Sequence, residues 1–226
     1  MLLSTAYLPP IEYFALLAKE FTLSPDRVIS SIAYIESKEN YQKQSYRNRA
    51  YIYTDAGKQS LSYPIIHDGN KAICEIKIDY STNWLSQHKR AITSAYSSSA
   101  YYEYYVDELY AIMDSKLEYL FDYNMALIKF FIEKFGLAVD LKLTDEYLLD
   151  ADFASSSSTC PSIYGENFRD VVHPKRKNSI LEDLGLNKSY YQVFSSKYGF
   201  IPNLSALDLL FNEGPNAILY LKSNFR

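Results

Sequence analysis

Apolar positions along the chain alternate between two spacings. "LLSTAYLPP" reads as a short strand that ends at a double proline, and Leu8 is expected to be extended because helix is disfavoured before proline. In "IEYFALLAKEF" the apolar residues Ile11, Phe14, Leu17 and Ala18 fall on one helical stripe. "RVISSIAYIE" is rich in β-branched residues and predicts a second strand. Strand, helix and strand within about 35 residues is the length of a βαβ unit. Next, "AYIYT" and "QSLSYPII" flank "DAGK", a hairpin pattern in which Gly57 supplies positive φ. "AICEIKID" predicts a further strand.

From Trp84 the spacing turns helical, through "WLSQHKRAITSAY", "YYEYYVDELYAIMDS" and "LFDYNMALIKFFIEKFG", with Gly136 as a C-terminal stop. "VDLKLT" and "SYYQVF" read as strands, and "NLSALDLLFNEGP" as a helix closed by Gly214 and Pro215. Ser205 is placed as its N-cap, with Asp208 supporting the first turn, and Asn216 is placed to cap the next helix. No internal repeat is present. Together these elements predict an α/β or α+β fold: an N-terminal βαβ unit and hairpin, a central helical block, and a C-terminal strand with short helices. One domain spanning 1–226 is expected, with a flexible serine-rich loop near 152–165 around "SSSST".

The 226 residues suffice for a sizeable core, and 48% hydrophobic with 22% charged residues is ordinary globular composition. A net charge of −4 and a pI near 5.5 argue against a nucleic-acid partner. Two cysteines are too few for a disulfide scaffold; Cys74 reads as a buried inert thiol and Cys160 lies in a polar loop. The start has no basic segment before a long apolar core, and no apolar run reaches spanning length, so a cytoplasmic protein without a membrane span is expected. The 23 tyrosines each bring a hydroxyl that needs a partner if buried, a composition suited to a sugar or nucleotide pocket or to an interface, and equally consistent with a compositional habit of the source organism.

The polar stretch "ENYQKQSYRNRAYI" changes this picture. In a strand, Lys43, Ser45, Arg47 and Arg49 share a face; in a helix, Lys43 and Arg47 still meet. Arg47 or Arg49 suits bidentate grip of a carboxylate or phosphate, with Lys43 as a mobile point charge. The bland alternative is a solvated face paired with Glu36 or Glu39. His88 lies with Trp84 and Ile92 on an apolar helix face, a position typical of a core histidine, yet its ordinary pKa suits acid–base work. His67 reads as surface. "FRDVVHPKRK" holds a second basic cluster, Arg169, Lys175, Arg176 and Lys177 with His173, able to act as a lid if it folds over the first. Walker A, GxGxxG, HExxH and GxSxG motifs are all absent, no metal-ligand spacing is seen, and no cofactor is assigned.

Several of these stretches, "STAYLPPIEYFALLAK", "ENYQKQSYRNRAYI", "LSYPI", "WLSQHKRAITSAY" and "YYQVFSSKYGFIPNLSALDLLFNEGPNAILYL", together resemble the WbqC-like protein family. The resemblance implies a bacterial protein; some members lie in O-antigen gene clusters, and glycine transfer has been suggested for the family. Carried over by position, Tyr13, Lys43, Arg47, Asn48, Arg49, His88 and Asn212 fall in the matching segments. The opening "AYLPPIEYF" is also similar to nucleotidyltransferase-like Rossmann folds, but Glu12–Tyr13 stands where Gly–His would be, which argues against adenylyl transfer. The leading expectation is a transferase in surface-polysaccharide synthesis acting on an anionic or nucleotide-linked sugar or an activated amino acid. Arg47 and Arg49 would hold the anion, with Tyr13, Asn48 and Asn212 beside them; Lys43 would offset charge and His88 would act as base. The competing expectation is a non-catalytic binding or assembly protein that serves a protein partner.

Overall fold

Three short strands running the same way organise the chain. In the computed structural model, which describes residues 1–19, 23–24, 27–28, 31–69, 71–149, 165–186 and 188–222, they are β1 (Leu2–Ser4), β4 (Ser31–Glu36) and β7 (Val139–Leu143). β4 is central and pairs in parallel with both neighbours, Ser4 opposite Glu36 and Ile35 opposite Leu143. The far side of β1 is closed by residues 166–168, through Leu2 N–H to the Glu166 carbonyl (2.8 Å) and Phe168 N–H to the Leu2 carbonyl (2.9 Å). The serine run 155–159 and Cys160 lie outside the described residues.

Helix α1 (Ile11–Lys19) connects β1 toward β4, so the expected βαβ unit is present. A short antiparallel pair, β2 (Leu23–Ser24) and β3 (Arg27–Val28), interrupts it, so "RVISSIAYIE" is divided between β3 and β4. Every residue from Ile11 to Ala18 is buried, so α1 is a central core helix rather than a one-sided one. Its first turn follows a tight corner where Leu8 takes φ 40°, not the extended backbone expected before Pro9. The corner is pinned on both sides, by Tyr7 N–H to the Tyr46 carbonyl and Ala206 N–H to the Pro9 carbonyl, each 2.8 Å. Fully buried contacts at Leu8 outweigh a local backbone cost of about 1–3 kcal/mol.

The hairpin forms as expected from β5 (Arg49–Thr54) and β6 (Gly57–Ser62), with Gly57 at φ +94°. "AICEIKID" is not a strand. It holds one 3₁₀ turn (Ile73–Glu75), because the N–H groups of Ile73 and Cys74 bond the carbonyls of Glu39 and Ser37, and isolated bridges go to different partners. Cys74 is half-buried there rather than sealed in the core. The helical block follows as α2 (Trp84–Tyr96), α3 (Tyr102–Asp114) and α4 (Leu120–Lys134), with Gly136 at φ +63° past its end.

The chain ends in α5 (Ile180–Asp183), α6 (Ser195–Tyr198), α7 (Ala206–Glu213) and α8 (Ala217–Leu221). "SYYQVF" is not a strand either: Gln192 bonds both backbone groups of Ile201 through its side chain, so no ladder forms. Ser205 caps α7, accepting from Leu207 N–H, but Asp208 turns inward to Tyr190 and Gln192, and the Asn216 side chain makes no capping bond. α1 packs against α5, α7 and α8, which makes the N- and C-terminal parts one core.

Gly214 ends α7 at φ +53°, and a Cβ there would collide with the Tyr101 ring at the start of α3. Gly214→Ala is expected to cost about 1–3 kcal/mol for the backbone, with Tyr101 forced to move in addition. An unchanged urea midpoint would contradict that packing. Among the described residues no helix is long and apolar enough to cross a membrane.

Candidate functional site

The parallel strands share one physical peculiarity: each runs out into polar residues that stay buried. β1 ends in Ser4–Thr5, β4 in Glu36–Ser37, and β7 leads to Thr144, none more than 9% exposed. The carboxyl ends of parallel strands are where α/β sheets place ligands, because adjoining loops diverge there. Ser37 N–H donates to Thr144 Oγ1 (3.1 Å), and Thr144 donates to Glu36 Oε1 (2.7 Å), so the ends are tied together by side chains.

Two buried ion pairs complete the cluster. Arg47, 2% exposed, donates from Nε to Glu39 Oε1 at 2.9 Å and from Nη2 to Glu39 Oε2, a fork matched to the carboxylate. The same Nη2 donates to Ser4 Oγ at 2.8 Å, and the Ser4 proton lies within reach of Glu39 Oε2 (3.2 Å) and the Arg169 carbonyl (3.3 Å). Arg169 Nη1 meets Glu36 Oε2 at 3.0 Å, and Glu36 also accepts from the N–H groups of Lys38 and Leu148. Burial pushes the Glu39 carboxyl above its ordinary range against the pull of Arg47 and Ser4, and neighbouring Glu36 adds to the rise. Tyr13 donates to the Ser4 carbonyl at 3.1 Å, and its burial raises its phenol. Ser4, Tyr13, Arg47 and Arg169 line a cavity of about 10 Å³, room for roughly one water. Thr5 also lines it, and its hydroxyl is buried without any hydrogen-bond partner.

Local chemistry brings Arg47 here. Residues 43–48 form turns and bends, not the strand or helix considered for them: Ser45 Oγ donates to the Gln42 carbonyl (2.6 Å), and Gln44 takes φ 59°. The Arg47 carbonyl is then gripped by Asn124 Nδ2 (2.7 Å) and the Tyr63 hydroxyl (3.2 Å). As a result Ser45 and Arg47 face inward while Lys43 is exposed.

Of the residues expected in a site, Tyr13 and Arg47 are brought together at this cavity. Lys43 lines a separate cavity of about 210 Å³ with Tyr41, His67 and Lys71. Asn48 donates to the Tyr63 carbonyl (2.7 Å) and Arg49 to Ser62 Oγ across the hairpin (2.9 Å). Asn212 bonds back to the Asp208 carbonyl within α7. His88 is buried among Tyr7, Trp84 and the hairpin. Its Nδ1 meets the Tyr7 hydroxyl at 2.8 Å, the Ser62 backbone takes its other bond, and burial lowers its pKa to about 4. The basic cluster near His173 does contact the first one. Gln42 donates to Asp170 (3.2 Å) and Lys175 to Gln44, while Arg169 is buried under them.

Sequence reading missed Ser4, Thr5, Glu36 and Glu39 as site residues. The available signal was a polar pair directly after an apolar strand run, "LLST" and "IAYIES". Among the described residues no group of three or more His, Cys, Asp or Glu is arranged to hold a metal ion.

Fold and site together define an α/β protein with a buried, doubly ion-paired polar centre at the carboxyl edge of a small parallel sheet. Residues 5–220 match the WbqC-like protein family, and the chain belongs to it. It is similar to the uncharacterized protein Rv1507c of Mycobacterium tuberculosis (strain ATCC 25618 / H37Rv), 26% identical over 234 residues that cover 96% of this chain and 94% of that protein. No solved structure gives a significant match.

Proposed function

We propose that this chain is a transferase in surface-polysaccharide synthesis, moving an acyl or aminoacyl group from an anionic donor to a sugar acceptor at the carboxyl ends of β1 and β4. The supporting observation is the pair of buried Glu–Arg bridges beside the unpartnered Thr5 hydroxyl. Buried ion pairs are poor stabilisers, because desolvation offsets their attraction and apolar replacements often do as well. Two of them at the ligand-binding edge of a sheet favour a chemical role over a structural one.

In this reading Arg47 and Arg169, each sharing its charge with a buried glutamate, offer N–H donors to the donor's anionic group. As the acceptor oxygen bonds the acyl carbon, the acyl–donor bond breaks and the donor leaves with its anionic group; Glu39 accepts the acceptor's proton, and Ser4, which lies between Glu39 and the cavity, is its point of contact. Thr5 and Tyr13 orient the substrate. The segment 168–177 covers the strand ends and lifts to admit it, since the closed cavity is only water-sized. His88 serves packing and hydrogen bonding in the aromatic cluster.

The test is a thermal-shift panel of ATP, nucleotide sugars, coenzyme A thioesters, amino acids and simple anions, each with and without magnesium. A ligand at about 100 times its Kd adds about 2.7 kcal/mol. Thr5→Val removes the hydroxyl while keeping shape and charge balance, so it is expected to be at least as stable as the native protein and to lose the response to the group donors, the coenzyme A thioesters and amino acids. A donor response that persists in Thr5→Val places the donor elsewhere. Silence across the whole panel favours the non-catalytic, partner-binding alternative.

A further inference from the structure

A further concavity lies away from the sheet edge. A groove of about 710 Å³ runs beside α2 and α3, a volume suited to a small-molecule ligand, and none of the strand-end residues lines it. Its walls carry Lys89 and Arg90 from α2, Asp114 from α3 and Lys116 just beyond. Lys89 is already matched: its ammonium sits 2.7 Å from Asp114 and 4.9 Å over the Tyr110 ring, whose hydroxyl returns a bond to the Lys89 carbonyl. Arg90 and Lys116 are exposed, and among the described residues neither has a carboxylate partner. The groove therefore carries uncompensated positive charge on a chain whose net charge is −4.

One wall is aromatic and held in place. Tyr80 is half-buried, lies tilted by 30° against Trp84 with ring centres 5.6 Å apart, and donates its hydroxyl to the Leu117 carbonyl at 2.9 Å. A fixed ring suits a flat base or the face of a sugar, while a free guanidinium and a free ammonium suit phosphate oxygens, the former in bidentate fashion.

We propose that this groove binds a diphosphate-bearing ligand of the nucleoside-diphosphate class, Arg90 and Lys116 meeting the phosphates and Tyr80 the ring. The inference does not rest on the transferase reading of the sheet edge. Calorimetric titration with UDP as probe, and with uridine as the uncharged control, tests it on the whole chain. Arg90→Glu combined with Lys116→Glu changes only exposed side chains and leaves the fold intact. UDP is expected to bind the native protein more tightly than uridine, at least about tenfold more weakly to the double variant, and unchanged to Thr5→Val. Absence of UDP binding up to about 1 mM overturns the proposal, as does binding that survives the double charge reversal. Binding lost in Thr5→Val but kept in the charge-reversed protein overturns it too, and would move the diphosphate to the strand ends.

Discussion

Arg47→Ala is expected to destabilise the protein by about 3–5 kcal/mol, whereas Arg47→Met combined with Glu39→Leu is expected to be neutral or stabilising by about 1–4 kcal/mol. The single change leaves the Glu39 carboxylate buried, 4% exposed, with only Ser4 to bond it and Glu36 nearby to repel it. The double change removes both charges and fills the same space with apolar atoms, and Ser4 keeps the Arg169 carbonyl as an acceptor. Urea denaturation at neutral pH separates the two. A loss below about 1 kcal/mol for Arg47→Ala would mean that the pair behaves as an exposed one. If the centre is functional, both variants lose the ligand response and only one of them loses stability, which keeps folding and function apart.

That buried pair also shows where sequence reading stops. Local signals carried the helices: Trp84, His88, Ile92 and Tyr96 repeat at helical spacing, and all face the core. They carried the hairpin as well, since Gly57 supplies the turn between two β-rich runs. Arg47 and Glu39 were visible as neighbours, but their burial was not, because it depends on Asn124 and Tyr63 seizing the Arg47 carbonyl from distant elements. Glu36 meets a partner 133 residues away in the chain, Arg169, which read as a surface cation in a basic run. Segments 72–78 and 189–194 have strand-like composition, yet their polar groups are claimed by turns and side chains, so composition misled there. The centre was half legible: its arginine and tyrosine could be named, and the carboxylates and hydroxyls that give them chemistry could not.

Two buried titrating groups outside that centre should pull stability in opposite directions with pH. Asp208 is fully buried against Tyr190 and Gln192, and burial raises its pKa from 3.8 to about 6. Its native form holds a proton that the unfolded chain has released, so its contribution is present below about pH 4 and lost as pH rises through about 6. His88 is lowered from 6.5 to about 4 by burial, so its contribution is present above about pH 6.5 and lost as pH falls toward 4. At about 1.4 kcal/mol per pKa unit each effect is on the order of 3 kcal/mol, and in the native protein they largely cancel. Substitution exposes them. Relative to native, Asp208→Asn is expected to gain stability steadily as pH rises from 4 to 7. His88→Gln keeps an acceptor for Tyr7 and a donor for Ser62, and is expected to lose stability, relative to native, over the same range. Urea denaturation at several pH values gives both difference curves. Flat curves would mean that neither group is shifted, and curves of the same sign would mean that one of the two environments is wrongly described. The sign carries the inference, because other carboxylates that titrate in this window drop out of each difference and leave only the substituted group.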